Sequence, residues 1–180
     1  MTALPESPRL VFREFVADDL DVLAGLLGDP EVMRYSWQGP RDRGASREVL
    51  AAFQRGYRQG RVGKWALHLR ASGEFVGYCG FERCPAGAPE GYELGYRFVP
   101  KFWGQGLASE AATASVRHGF QVAHLPHIIA FIEPANAASL RVLAKCGFQR
   151  IARGAQLNGK TMDIYRIDAP KQPNIVETKP

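Results

Sequence analysis

The sequence predicts an α+β fold with a mixed, mostly antiparallel central sheet of about seven strands and four to five helices. Three observations carry this expectation. Apolar residues recur at helical spacing up to about Gln59, and after Gly60 the period shortens to two. Short turn sequences, Ala71-Ser72-Gly73 and Asn158-Gly159, separate neighbouring strand patterns as antiparallel hairpins require. Between Tyr92 and Ile132 the order is strand, helix, strand, which a pure hairpin sheet would not contain. A chain of 180 residues suits one domain. That domain is expected over residues 1–168, with a fraying tail at 169–180 that holds Pro170, Pro173 and Pro180.

Leu10 to Phe15 reads as the first strand. Ala17 to Leu27 reads as a helix, with Asp18 and Asp19 at its positive end and Gly28 beyond its last turn. Asp29-Pro30 opens a turn that runs through Tyr35, and Gly39 to Gly44 is loop. Ser46 is the expected cap of a helix to about Gln59, with Val49, Leu50, Phe53 and Tyr57 on one face. Lys64 to Arg70 and Glu74 to Phe81 form a hairpin, and the Pro- and Gly-rich stretch from Cys84 to Gly91 is loop. Tyr92 to Val99 is a fourth strand, stopped by Pro100. A helix from Leu107 to Gln121 follows, then a buried strand from Ile128 to Ile132. Asn136 caps a helix that ends at Cys146 and Gly147. Phe148 to Arg153 and Thr161 to Ile167 close the fold as a hairpin.

Composition narrows the function classes. Hydrophobic residues are 46% and charged residues 23%, which excludes a disordered chain, a collagen and a coiled coil. The longest aliphatic or aromatic run, Ile128 to Ile132, is far short of the roughly 20 residues a membrane helix needs. Met1 to Leu10 lacks an apolar stretch, so no signal peptide is expected. Three cysteines argue against a disulfide framework, and together these features suit a reducing cytoplasm. The net charge of +5 suits an anionic cofactor or an acidic, RNA-rich partner. No arginine-rich tract, zinc-finger spacing or aromatic RNA-binding signature is present, so nucleic acid is not the expected main ligand.

The informative segment runs from Val99 to Ala111, Val-Pro-Lys-Phe-Trp-Gly-Gln-Gly-Leu-Ala-Ser-Glu-Ala. A strand ends at a proline, and a turn spaced by Gly104 and Gly106 feeds straight into a helix. Such a turn aims backbone N–H groups outward at the positive end of the helix, where they can receive a phosphate. The same spacing also serves a tight turn with no ligand. Two other phosphate motifs are absent, Gly-x-x-x-x-Gly-Lys-Ser/Thr and Gly-x-Gly-x-x-Gly with its acidic ribose partner.

Tyr92-Glu93-Leu94-Gly95-Tyr96 followed by Pro100 to Ala111 resembles the acetyl-CoA segment of the GNAT N-acetyltransferases. More narrowly it resembles their RimJ/RimL-type branch, which includes ribosomal-protein N-terminal acetyltransferases. Asp29 to Tyr35, Asn136 to Ser139 and Lys145 to Phe148 resemble further segments of that branch, so the likeness spans about Leu10 to Ile167. One departure is Lys101, where the superfamily usually carries Arg or Gln.

The resemblance implies attack of a primary amine on the thioester of acetyl-CoA, without a covalent enzyme intermediate. It implies that the fourth and fifth strands splay to admit pantetheine, whose amides meet backbone at Phe98 and Val99. A backbone N–H near Phe98 would serve as oxyanion donor. Gly104, Gln105, Gly106, Leu107 and Ala108 would hold the pyrophosphate, and Trp103 either shields the cofactor or packs the turn. Glu93 is the first candidate base, acting through water, and Glu82 the second. Asn136 would fix Ser139 near the sulfur, where the serine meets the leaving thiolate. Tyr35 and Trp37 fall where the acceptor groove of this branch is built.

At pH 7 about 10% of an α-amine is neutral but below 0.1% of a lysine amine, so an α-amine asks less of a base. The branch resemblance, with that lower demand, implies a protein or peptide N-terminus as acceptor, with a ribosome or ribosomal protein as a fitting partner. Alternatives are a small amine (amino acid, polyamine or antibiotic) or a non-catalytic acyl-CoA sensor. Monomer and homodimer both fit the branch. No metal is expected: His118, His124 and His127 lack a third nearby ligand, and Cys79, Cys84 and Cys146 lack a second pair.

Overall fold

The structure, a computed structural model, describes residues 3–58, 62–157 and 159–170. The strands are β1 (Leu10–Arg13), β2 (Lys64–Leu69), β3 (Phe75–Arg83), β4 (Tyr92–Phe98), β5 (His127–Ile132), β6 (Gln149–Leu157) and β7 (Lys160–Asp168). Among the described residues the α-helices are α1 (Leu20–Gly28), α2 (Arg43–Tyr57), α3 (Leu107–Gln121) and α4 (Ala137–Cys146). The seven strands form one sheet in the order β1-β2-β3-β4-β5-β7-β6. Every neighbouring pair is antiparallel except β4 and β5, which are joined through α3 and run parallel. The expected α+β class with a mixed sheet of about seven strands and four helices is what the chain adopts.

Period-two alternation sorts the central strands onto two faces. Trp65, Leu67, Cys79, Phe81 and Leu94 pack with Leu107, Ala111, Ala112 and Val116 of α3. Small residues let α3 lie close to the sheet, and a Cβ on Gly119 would stand 3.0 Å from the Phe81 ring. Ala66 and Tyr78 point the other way, to Leu23 and Leu27 of α1 and Leu50 and Phe53 of α2. A third cluster (Ile129, Phe131, Met162, Ile164) covers the same side at the far end of the sheet. Each such Leu, Ile or Phe contributes about 1.5–3 kcal/mol when fully buried.

Four local expectations need correction. The helix expected from Ala17 begins as a 3₁₀ turn over Ala17–Asp19, and α1 proper starts at Leu20. Asp19 is drawn inward, where it accepts two bonds from Arg13 (2.6 and 2.7 Å) and one from the Val16 N–H (2.8 Å). Ser46 does not cap α2; Asp42 does, accepting from Ala45 N–H at 2.8 Å. The Ser46 side chain is fully buried and donates to the Asp42 carbonyl instead. The first strand stops at Arg13 rather than Phe15. The last hairpin is longer than expected, reaching Leu157 and Lys160, and β6 shifts register between Arg150 and Ala155. Asp163 explains that extension: it accepts from both Arg150 and the Gly154 N–H across the irregularity. Gln59, Gly60 and Asn158 lie outside the described residues, as does the tail at 171–180, whereas the Ala169 N–H bonds the Pro126 carbonyl at 2.9 Å.

Candidate active site

β4 and β5 lie side by side at one register position, Glu93 opposite Ile129. Beyond it β4 continues to Phe98 without a partner residue on β5 among the described residues, so the sheet opens between the two strands. Backbone alternation decides which groups face the opening. The Val99 N–H donates to the Val76 carbonyl of β3 at 2.9 Å, so the odd-numbered residues of β4 turn their polar groups to β3. Those of Leu94, Tyr96 and Phe98 therefore turn toward the opening. Of the two backbone positions anticipated, Phe98 faces the gap. Val99 is engaged within the fold, since its carbonyl also accepts from Phe102 N–H at 3.0 Å.

The chain then makes a 3₁₀ turn, Pro100–Phe102, anchored by the buried Phe102. Gly104 (φ 75°) and Gly106 (φ 78°) are both left-handed, a conformation costly for other residues. A Cβ on Gly104 would meet nothing within 4 Å, so the front of the turn is open. No side chain caps α3 at Gly106, which leaves the N–H groups of Leu107, Ala108 and Ser109 unmatched within the helix. Buried Leu107 fixes the start of the helix below them. These orphan donors at a helix N-terminus fit a diphosphate. The Trp103 indole N–H donates to the Phe98 carbonyl at 2.7 Å, so the ring packs the turn while staying 44% exposed.

Two side chains brace the turn. Arg9 Nη1 donates to the Gln105 carbonyl at 3.0 Å, and Gln105 itself donates to the Lys101 carbonyl at 3.0 Å. Glu110 accepts from the Arg9 backbone N–H (2.8 Å), from Arg9 Nε (2.6 Å) and from Ser7. Its burial would raise its pKa, but the bonds from Ser7 and Arg9 outweigh that and hold it below the usual carboxylate range. Lys101 is turned away, paired with Glu74 at the surface.

Asn136 caps α4 as expected, its Oδ1 accepting from Ser139 N–H at 3.1 Å. Tyr96, facing α4 from β4, directs its hydroxyl to the Ser139 carbonyl at 3.5 Å. Ser139 thus stands across the opening from β4. Tyr35 reaches the same end of the site, donating to the Ala135 carbonyl at 3.3 Å. Trp37 packs on the cluster of Ile129, Phe131 and Met162. The connection between α1 and α2 therefore leans over β5 and its exit.

The α1–α2 face of β2, β3 and β4 carries a row of charge. Glu93 lies opposite Glu82, and Lys64 opposite Gly80, which in turn lies opposite Gly95. The Lys64 side chain crosses both glycines. A Cβ on Gly95 would clash with Nζ, and one on Gly80 would clash with the Gly63 carbonyl. Lys64 is only 3% exposed, and its Nζ is 3.4 Å from Glu82. Burial alone would lower the pKa of Lys64, yet Glu82 and Glu93 outweigh it and keep the ammonium charged. Burial pushes Glu93 up to about 7, with Lys64 opposing the shift and Glu82 adding to it. A carboxylate poised near neutral pH can take and return a proton. Arg97, next on the same face, donates to the Tyr78 hydroxyl and lies 5.8 Å from that ring.

Sequence reasoning brought Glu93, Ser139 and the glycine turn together but missed Lys64, Arg97 and Arg9. The alternation Glu93-Gly95-Arg97 on one strand and a lysine opening the apolar run Trp65-Ala66-Leu67 were the signals available. Two of the histidines have structural surroundings: His118 is buried beside Trp65 (5.2 Å) and His127 Nε2 lies 2.8 Å from the Glu90 carbonyl. Cys79 contacts Ser115 at 3.3 Å and Cys146 contacts Thr113 at 3.6 Å.

Comparison with known proteins agrees with this geometry. The description "Acetyltransferase (GNAT) domain" matches residues 9–149. The YkkB protein of Bacillus subtilis is 37% identical over 130 residues, 72% of this chain and 75% of its own. The alanine N-acetyltransferase of ribosomal protein uS5 from Escherichia coli is 31% identical over 94 residues, 52% of this chain and 48% of its own. The crystal structure of a GNAT-family acetyltransferase from Bacillus anthracis superposes with a TM-score of 0.76 at 27% identity, covering 90% of this chain and 95% of that one.

Proposed function

This chain belongs to the GNAT acetyltransferase family and is an acetyl-CoA-dependent N-acetyltransferase; from that premise we propose that its acceptor is a protein or peptide N-terminal α-amine and that Glu93 is its base. The observation that carries the second part is the carboxylate with a pKa near 7 beside the opening of the sheet. Acetyl-CoA supplies the thioester. The orphan N–H groups of α3 and the backbone of Gly104 to Ala108 hold its diphosphate, and the Phe98 N–H polarises the thioester carbonyl.

Distances along β4 favour a relay through water. A Cβ on Gly95 would lie 3.9 Å from Glu93 Oε1, so the carboxylate reaches to the level of Gly95. From Gly95 to Phe98 is three residues, or about 10 Å of strand. That length accommodates one water, the amine and the carbonyl in line. Glu93 takes the ammonium proton through the water, and the neutral nitrogen bonds to the carbonyl carbon. As the carbon–sulfur bond breaks, the second proton of that nitrogen passes to the departing thiolate, leaving the amide and the CoA thiol. The Ser139 hydroxyl donates a hydrogen bond to the departing sulfur. An α-amine is about 10% neutral at pH 7 and so demands little of a base with this pKa.

The uS5-alanine acetyltransferase among the relatives supports an N-terminal acceptor, a ribosomal protein as partner and the RimJ/RimL-type branch. No described helix is long and apolar enough to cross a membrane. The test is free-thiol release from acetyl-CoA against N-terminal peptides, lysine-only peptides and small amines, with the product identified by mass. Preferred release with a free N-terminus is the expected outcome, and preference for a small amine without a peptide chain would overturn the acceptor assignment.

A further inference from the structure

Arg97 differs from the cations that the fold matches with carboxylates. Lys64 is matched by Glu82, Arg13 by Asp19 and Lys160 by Glu133. Arg97 is half-buried, yet among the described residues no carboxylate lies within ion-pair distance, and its hydrogen bond goes to the neutral Tyr78 hydroxyl. A guanidinium has five donors in a planar fork. No nitrogen of Arg97 is both fully buried and unmatched, so its remaining donors reach solvent and can turn to the oxygen of an acceptor.

Its place gives those donors a use. Arg97 shares a face with Gly95 and Glu93 and precedes Phe98, whose amide faces the opening. It therefore flanks the stretch between Gly95 and Phe98 where the amine must sit. The local charge is informative too. Lys64 and Arg97 offset Glu82 and Glu93, so this face has no surplus of carboxylates to hold a polycation. An acceptor that brings an oxygen close to its amine would satisfy the fork.

Building on the α-amine reading above, we propose that Arg97 forms an acceptor subsite for the α-carbonyl oxygen, the oxygen on the carbon next to the amine-bearing carbon. A peptide's first carbonyl and the carboxylate of a free amino acid share this chemistry. Polyamines and simple alkylamines lack it. Arg97 is thus a specificity-determining residue that sets which amines are held in line with the thioester.

The experiment compares wild type, Arg97→Gln and Arg97→Lys on an alanine-initiated peptide, free alanine, isopropylamine and spermidine, with CoA affinity measured on each protein as the check of folding. The peptide and alanine arms tell the carbonyl from the carboxylate. Wild type should favour one of these two over isopropylamine by at least tenfold per neutral amine. In Arg97→Gln that advantage should shrink about tenfold, through KM rather than kcat, and Arg97→Lys should recover part of it. Equal losses for acceptors with and without the carbonyl, or spermidine as the best acceptor of wild type, would overturn the subsite while leaving acetyl transfer standing. Thiol release with no α-amine at all would overturn the α-amine reading and the subsite together.

Discussion

The turn from Phe98 to Ala108 presents backbone N–H groups, whereas the charged row of Lys64, Glu82, Glu93 and Arg97 is assembled from side chains on three strands. The first region needs particular φ angles and room for a ligand, which Gly104 and Gly106 supply within one continuous stretch. The second needs distant residues brought into register, and its critical spacing comes from two absent side chains, at Gly80 and Gly95. On the proposed assignment, binding of the acetyl donor is encoded locally, while acceptor chemistry depends on the whole sheet. The two regions should separate under mutation, with one set of changes altering CoA affinity and the other altering turnover.

Glu93→Gln should give the largest effect. It keeps shape and removes the proposed base, so kcat/KM for the acceptor should fall about 100-fold with CoA affinity unchanged, measured by thiol release and calorimetry. Gly106→Val tests the other region. A β-branched residue at φ 78° is strained, so CoA affinity should weaken about tenfold or more while the KM of the acceptor at saturating acetyl-CoA stays near wild type. Ser139→Ala removes the hydroxyl across the opening. It should slow turnover about tenfold, with less effect when the thioester carries a better leaving thiol.

A subtler prediction concerns stability. The folded Glu93 pKa, near 7, is raised above its ordinary value by burial. The folded state therefore binds the proton more tightly, and the stability this contributes is fully present below about pH 4.5 and lost as pH rises through about 7. Glu93→Gln removes that loss. At pH 8 the variant should melt about 3–6 °C above wild type, and at pH 4.5 the two should coincide. Lys101→Ala should do least. Lys101 pairs with Glu74 at the surface, away from the open front of the turn, so CoA affinity should change less than about threefold.

The contrast also explains what could be read in the sequence. The limits of α3 and α4 were legible because Pro100, the glycine turn, Asn136 and Gly147 mark helix ends by local chemistry. The parallel step between β4 and β5 followed from the single strand–helix–strand unit. The N-terminus of α2 was misread because Asp42 and Ser46 are both good caps, and only tertiary burial of Ser46 decides between them. Lys64 stayed hidden because a lysine at the start of a strand looks solvent-exposed. Its burial depends on glycines 16 and 31 positions later falling into register with it. Arg9 was hidden for the same reason, since its partners Gln105 and Glu110 are about a hundred residues away.

The measurement closest to the centre of this account is the pH dependence of acetyl transfer to an alanine-initiated peptide, for wild type and Glu93→Gln, at saturating acetyl-CoA and with the acetylated nitrogen identified by mass. The account predicts acetyl on the α-nitrogen and a wild-type rate that rises with pH through about 7. In a variant that is about 100-fold slower yet binds CoA normally, the break near 7 should be absent, leaving only the rise set by the titration of the amine itself at about 8. A variant that keeps the wild-type rate and its pH profile would contradict the assignment of Glu93 as the base.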